Sequence, residues 1–214
     1  MSGPGLGAGR VTCAVIIPVG PGHEVYAVDA VASAWAAWHL GRGPFTDLAV
    51  VVIDDTRGEM GRSAARNRGM DENPTDWHFF LDADDQMMPG AFGMVDLSSP
   101  ATFGAVFTDG RTAPENRPCV DRATLLEFGP RGTLSMGCFV RGDLGLRFNA
   151  DLDVGEDFDF YLRLPGFTKV SGPLVNIGYS KPSAGGPRGY VDVSWMAACD
   201  EIIRKHKAAH APPA

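Results

Sequence analysis

Apolar positions along the chain follow two periods. Short β-branched or aromatic runs at residues 11–17, 48–53, 77–81 and 103–107 predict strands, with weaker runs at 137–140 and 170–177. Helical spacing appears between and after them. Val25, Val28, Val31, Ala32, Trp35 and Trp38 recur every three or four residues, as do Trp195, Met196, Cys199, Ile202, Ile203 and His206. Strands alternating with helices predict an α/β fold, a mixed, mostly parallel sheet with helices on its faces. No internal repeat is present, and the Gly and Pro clusters at 110–118 and 182–189 read as loops inside one domain. Residues 1–10 and 208–214 read as flexible tails, which leaves 11–207 as the folded unit.

In an open sheet of this kind the ligand crevice lies beyond the carboxyl ends of the strands, so the residues that follow each run carry the chemistry. These are Pro18-Val19-Gly20, then Asp54-Asp55, then Asp82-Ala83-Asp84-Asp85. Three carboxylates within four residues repel one another unless a cation sits among them, and a hard divalent ion, Mg2+ or Mn2+, suits oxygen ligands and a diphosphate. The plainer alternative is an Asp-rich turn ahead of Pro89. Asp54 and Asp55 end an apolar strand where a carboxylate accepts hydrogen bonds from a base or ribose, or serves as a turn pair. The segment 61–69 places Arg62 and Arg66 one helical turn apart, either as phosphate partners or as a solvated basic face. Finally, 155–164 reads as a short helix with its acids in the first turn. The helix dipole alone favours that arrangement, but if the helix start faces the crevice a carboxylate there can act as general base.

Composition narrows the choice. The 214 residues, 44% hydrophobic, suffice for one domain with a proper core and exclude intrinsic disorder. Apolar runs such as 14–17 and 49–53 are far below the roughly 18 residues of a membrane span. The Gly-rich start has no signal-type apolar core, which predicts a cytoplasmic protein. A net charge of −7 disfavours sequence-independent adhesion to nucleic acid or anionic lipid. Cys13, Cys119, Cys138 and Cys199 form no CxxC pair and read as reduced structural thiols. Gly3, Gly5, Gly7 and Gly9 precede the first strand rather than follow it, so they do not form a dinucleotide loop.

Taken in order, Ile16-Ile17-Pro18, Val51-Val52-Ile53-Asp54-Asp55, Ala65-Arg66-Asn67-Arg68-Gly69, Phe80-Leu81-Asp82-Ala83-Asp84-Asp85 and Gly155-Glu156-Asp157 through Arg163 resemble the blocks of family 2 glycosyltransferases of the GT-A fold, over roughly residues 11–182. The resemblance implies a Rossmann-like GT-A domain that transfers a sugar with inversion from a nucleotide-sugar donor, most simply a UDP-sugar, to a hydroxyl acceptor with Mn2+ or Mg2+. It implies that Asp84 and Asp82 serve as metal and donor ligands of a DxD motif, Asp157 as catalytic base and Glu156 as the group that seats the acceptor. Pro18, Val19, Asp54 and Asp55 would then touch the nucleotide and Arg66 the diphosphate.

Two departures stand out. Only ten residues separate Asp55 from Arg66, where many members insert a further helix and strand, and Thr56-Arg57 replaces the usual Gly-Ser. No His lies within 176–189, where many relatives carry a metal ligand, which leaves Lys181 or Arg188 to hold the diphosphate.

Two rival readings are a haloacid-dehalogenase-like phosphohydrolase with Asp82 as nucleophile, and a sugar-nucleotide binding module without catalysis. Against the first, two strands and an Arg-rich helix precede Asp82, and Gln86 stands where Thr or Val is expected. Intact Asp84 and Asp157 argue against the second. The acceptor, whether glycan, protein or modified nucleobase, is left open, and the stretch 109–132 is expected to shape it.

Overall fold

The computed structural model describes residues 10–108, 111–112, 121–129, 134–178 and 193–209 of the chain. Strand β1 (Thr12–Val19) lies between β2 (Asp47–Asp54) and β3 (Trp77–Phe80), parallel to both. Beyond β3 come β8 (Cys138–Arg141), β5 (Ala101–Phe103) and β9 (Thr168–Lys169), so the six-stranded sheet runs β2-β1-β3-β8-β5-β9. Only β8 runs against its neighbours in this sheet. Two small antiparallel pairs flank it: β4 (Gln86–Met87) with β10 (Val175–Asn176), and β6 (Phe107–Thr108) with β7 (Arg111–Thr112).

β1 lies inside the sheet, and its sequence is apolar on both faces: Cys13 through Ile17 are all buried. Its alternation serves two cores. Ile16 points to one with Phe80, Phe158, Phe160 and Ile202, while Val15 and Ile17 point to the other with Trp38, Phe45, Phe79 and Phe139. Helix α2 (Arg62–Glu72) contributes Ala65 and Met70 to the first core, along with α3 (Arg122–Phe128), α4 (Glu156–Arg163) and α5 (Val193–Ala209). Helix α1 (Glu24–Leu40) covers the second.

α1 forms where the apolar spacing predicts it but presents a different face. Ala27, Ala30, Ala34 and Ala37 are buried with Trp38, whereas Val25 and Val28 stay 74% and 70% exposed. Small side chains let the helix axis approach the sheet closely, while Trp38 fills the end of the seam against Phe92. The run at 103–107 is one strand by pattern but two in the fold. At Gly104 a Cβ would stand 2.5 Å from the Leu174 nitrogen and 2.9 Å from the Gly172 oxygen, so the chain bends there and Ala105 N–H bonds to Gly172 O at 3.0 Å. The same interruption divides 170–177, which contributes only β10 and the adjoining bridge at Ile177.

α2 meets β1 at Gly69, where an added Cβ would lie 2.5 Å from Ile16 Cγ2. Gly69→Ala is therefore expected to cost about 1–3 kcal/mol through overpacking, despite the better helix propensity of Ala. Urea unfolding measures this, and a stabilised variant would mean the helix can shift without loss.

Cys13, Cys138 and Cys199 are buried free thiols, as the scattered spacing predicts, while Cys119 lies outside the described residues. Lys181, Arg188 and much of 109–132 also lie outside them. Among the described residues no helix is long and apolar enough to cross a membrane.

Candidate active site

The carboxyl ends of β1, β2 and β3 lie side by side. Val19 pairs in register with Asp54, Asp55 N–H bonds to Val19 O at 2.9 Å, and Leu81 N–H bonds to Ile16 O at 3.0 Å. Pro18 and Val19, Asp54 and Asp55, and the 82–85 turn thus share one edge, as the strand-end argument requires.

The two acids after β2 are not equivalent. Asp54 is exposed, and the Thr56 N–H at 2.9 Å, with help from the Thr56 hydroxyl, holds its carboxyl below the usual range. Asp55 is buried and spends both oxygens on the loop: Oδ1 accepts from Met60 N–H at 2.9 Å and Oδ2 from Gly61 N–H at 2.8 Å. It closes the short 55–61 connection into α2 and leaves Asp54 as the exposed acid of the pair. Pro18 is half-buried, and Val19 packs into the core beside α1.

The Asp-rich turn is relieved in a way the spacing did not reveal. Asp85 is buried and accepts a short hydrogen bond from Gly178 N–H, which ties the turn to the end of β10. Asp82 Oδ1 accepts from Arg66 Nη2 at 2.6 Å, and its side chain remains 36% exposed. Asp84 is half-buried at the tip. Part of the cation that three clustered carboxylates demand is thus a guanidinium from α2.

Arg66 is 3% exposed and bridges two acids, since Nη1 also donates to Glu156 Oε1 at 3.0 Å. Burial alone would weaken its proton, but the charges of Asp82 and Glu156 outweigh that and raise its pKa. Its Nε is buried without a hydrogen-bond partner, and its plane lies 5.2 Å from the centre of the Phe148 ring. Phe148 was not singled out by the sequence pattern. It stacks on Phe160 at 4.2 Å, and its backbone is held at both ends by Asn67: Asn67 Nδ2 donates to Phe148 O at 2.9 Å, and Phe148 N–H donates to Asn67 Oδ1 at 2.8 Å. The only sequence signal for this is the Asn beside Arg66 in the 65–69 block.

Glu156 is buried under Arg66, and the largely exposed Arg62 approaches the same oxygen at 3.7 Å. Next to it Asp157 is half-buried at the head of α4, with Oδ1 accepting from Phe158 N–H at 2.7 Å. Burial first, then repulsion from Glu156, pushes its pKa up to about 6, against the partial relief of the Phe158 N–H and Arg66. That value suits a base working near neutrality.

Among the described residues no three His, Cys, Asp or Glu side chains converge as a closed metal cage. Asp82 and Asp84 are partly exposed hard oxygen donors beside an Asp85 turned inward, the chemistry that a divalent ion held by one or two carboxylates, with phosphates and water completing its shell, would need.

No curated protein matches the chain in sequence. Residues 30–95 match the family model described as Glycosyl transferase family 2. The fold is similar to S. aureus TarS, at 18% identity and a TM-score of 0.56 over 78% of this chain; the chain spans only 36% of the length of that protein. It is also similar to residues 1–349 of S. aureus TarS in complex with UDP-GlcNAc, at 15% identity and a TM-score of 0.60, covering 95% of this chain and 68% of that one. A third similar structure is glucosyl-3-phosphoglycerate synthase from Mycobacterium tuberculosis in complex with Mn2+, UDP-glucose and phosphoglyceric acid, at 15% identity and a TM-score of 0.51, covering 97% of this chain and 82% of that one. The strand order, the strand-end blocks and the matched segment agree: this is a GT-A-fold chain whose residues 30–95 match the glycosyl transferase family 2 model.

Proposed function

We propose that the protein is an inverting glycosyltransferase that moves a sugar from a UDP-sugar to a hydroxyl acceptor. The observation that carries the reading is the join of the Asp82–Arg66–Glu156 bridge to Asp157, which sets a carboxylate of pKa about 6 beside the turn that would hold the donor diphosphate. The similar structures bound to UDP-GlcNAc and to UDP-glucose support the donor class.

Asp54 accepts from the nucleoside, and Asp82 and Asp84 face the diphosphate. With Mn2+ or Mg2+ bound at these two carboxylates, the ion would supply charge neutralisation for the departing diphosphate. The acceptor oxygen attacks the anomeric carbon as its bond to the phosphate oxygen breaks. Asp157 takes the acceptor proton, UDP leaves with the bonding electron pair, and direct displacement inverts the anomeric centre. Glu156, held under Arg66, fixes the orientation of the α4 head on which Asp157 sits and forms the floor on which an acceptor is seated.

The test is UDP release from UDP-GlcNAc and UDP-glucose with Mn2+, with the product anomer read by NMR. Retention of configuration would overturn the mechanism. Asp84→Ala is expected to abolish the Mn2+-dependent gain in UDP affinity, because Asp82 and the inward-turned Asp85 cannot hold a hard cation in good geometry alone. Isothermal titration of UDP with and without Mn2+ measures it; an unaltered gain in the variant would move the metal elsewhere.

A further inference from the structure

Helix α4 carries both acids of the site, yet it has little of its own to hold it in place. It is eight residues long, begins at Gly155 without a side-chain cap, and packs Glu156, Asp157 and Asp159 into its first turn. Two turns with an uncapped start are marginal in isolation, so neighbouring elements must set the orientation of this helix.

One such neighbour is α2, whose Arg66 pairs with Glu156 at 3.0 Å; the other is α5, which engages α4 twice. At the start, Gly155 has φ +80 and a Cβ there would lie 2.8 Å from Ile202 Cδ1, with Ala198 Cβ at 3.8 Å and Cys199 Sγ at 3.9 Å. Half a turn beyond Asp157, Asp159 Oδ1 lies 3.2 Å from His206 Nε2, while its Oδ2 accepts from Arg163 Nε at 2.8 Å. On the other side of the imidazole, Arg122 Nη2 of α3 stands 3.1 Å from His206 Nδ1. A guanidinium has only donors, so Nδ1 is the acceptor and the ring proton sits on Nε2, directed at Asp159. His206 and Asp159 are 14% and 13% exposed, so this relay is largely shielded from water.

We propose that His206 is a positioning residue for the transfer reaction: through Asp159 it locks α5 and α3 onto α4 and thereby aims Asp157. The inference rests on the reading of Asp157 as the base. His206 itself touches no substrate.

The test uses the full chain and three variants. In His206→Ala the relay is broken, and amide hydrogen exchange across residues 155–162 is expected to rise about tenfold, while kcat for UDP release from UDP-GlcNAc with Mn2+ falls about tenfold and KM stays within about twofold, because misaimed groups lower the rate more than donor binding. His206→Gln, whose amide donates to Asp159 and whose oxygen accepts from Arg122, should return both readouts to within about twofold of the parent. Phe45→Leu, buried in the core on the opposite face of the sheet, is the control for general destabilisation and should leave exchange at 155–162 and kcat unaltered. Unchanged exchange in His206→Ala, a Gln variant no better than Ala, or an equal loss of kcat in Phe45→Leu would overturn the proposal. If the parent releases no UDP from UDP-GlcNAc or UDP-glucose, the transferase reading fails, and the exchange measurements alone decide whether α5 braces α4.

Discussion

Asp157→Asn is expected to keep the fold and the affinity for UDP while transfer falls by about two to four orders of magnitude, the range for a lost general base. The amide preserves shape and the acceptor for the Phe158 N–H but cannot take the acceptor proton. In the parent, the rate should rise with pH through about 6 as Asp157 loses its proton, and this limb should vanish in the variant. Stability should move the other way. The folded pKa of Asp157 lies above its ordinary 3.8, so between 3.8 and about 6 the native state holds a proton that the unfolded chain has lost, and stability declines as pH rises through that window. Asp157→Asn escapes that penalty and should melt higher than the parent at pH 8, with the difference closing below pH 4. An Asn variant as fast as the parent, or one with the parent's pH–rate profile, would remove Asp157 from the chemistry.

Arg66→Met is expected to lower stability by about 3–5 kcal/mol, the usual cost of stripping one partner from a buried ion pair. The loss is not shared equally between its two acids. Asp82, with a side chain 36% exposed, can return to water, but Glu156, with a side chain 4% exposed, cannot. Adding Glu156→Gln to Arg66→Met should therefore recover a substantial part of the loss, whereas adding Asp82→Asn should recover little. Urea titrations of the three variants decide the matter. A loss under about 1 kcal/mol, the range of an exposed pair, together with a collapse of UDP affinity would instead make Arg66 a diphosphate ligand.

That second prediction shows where the sequence was readable and where it was not. β1, β2 and β3 could be located within two residues because their sequences are continuous apolar runs, even in the edge strand β2 where only Ile53 is fully buried, and their ends indicated the crevice edge without further information. The order of the five blocks, together with the strands, was enough for the GT-A fold. Side-chain assignments inside the blocks were harder, because each depends on a partner far along the chain. Asp54 and Asp55 are the same residue type side by side, and only the short loop to Gly61 makes one an internal cap and leaves the other open. Arg66 has the right chemistry for phosphate, but Glu156, 90 residues on, draws it inward. Phe148 had no periodic context at all, and the bend at Gly104 results from a close approach by 172–174 that no local pattern encodes. In α1 the apolar count favours Val25, Val28 and Trp35, which stay exposed, while the sheet seam takes four Ala for their size together with Trp38.

The bridge centred on Arg66 also bears on the order of assembly. Its two arms close loops of very different length, 16 residues to Asp82 and 90 to Glu156. The shorter arm can close while β3 joins β1, but the longer one must wait until most of the chain has been synthesised and β8 has entered the sheet, because loop-closure entropy defers distant contacts. A nascent chain that ends before α4 thus holds a guanidinium with half its compensation and a cleft edge without Asp157. Completion of folding and the arrival of Asp157 at the cleft become a single late event, so, with Asp157 as the proposed base, a partly built domain has no means of discharging an activated sugar.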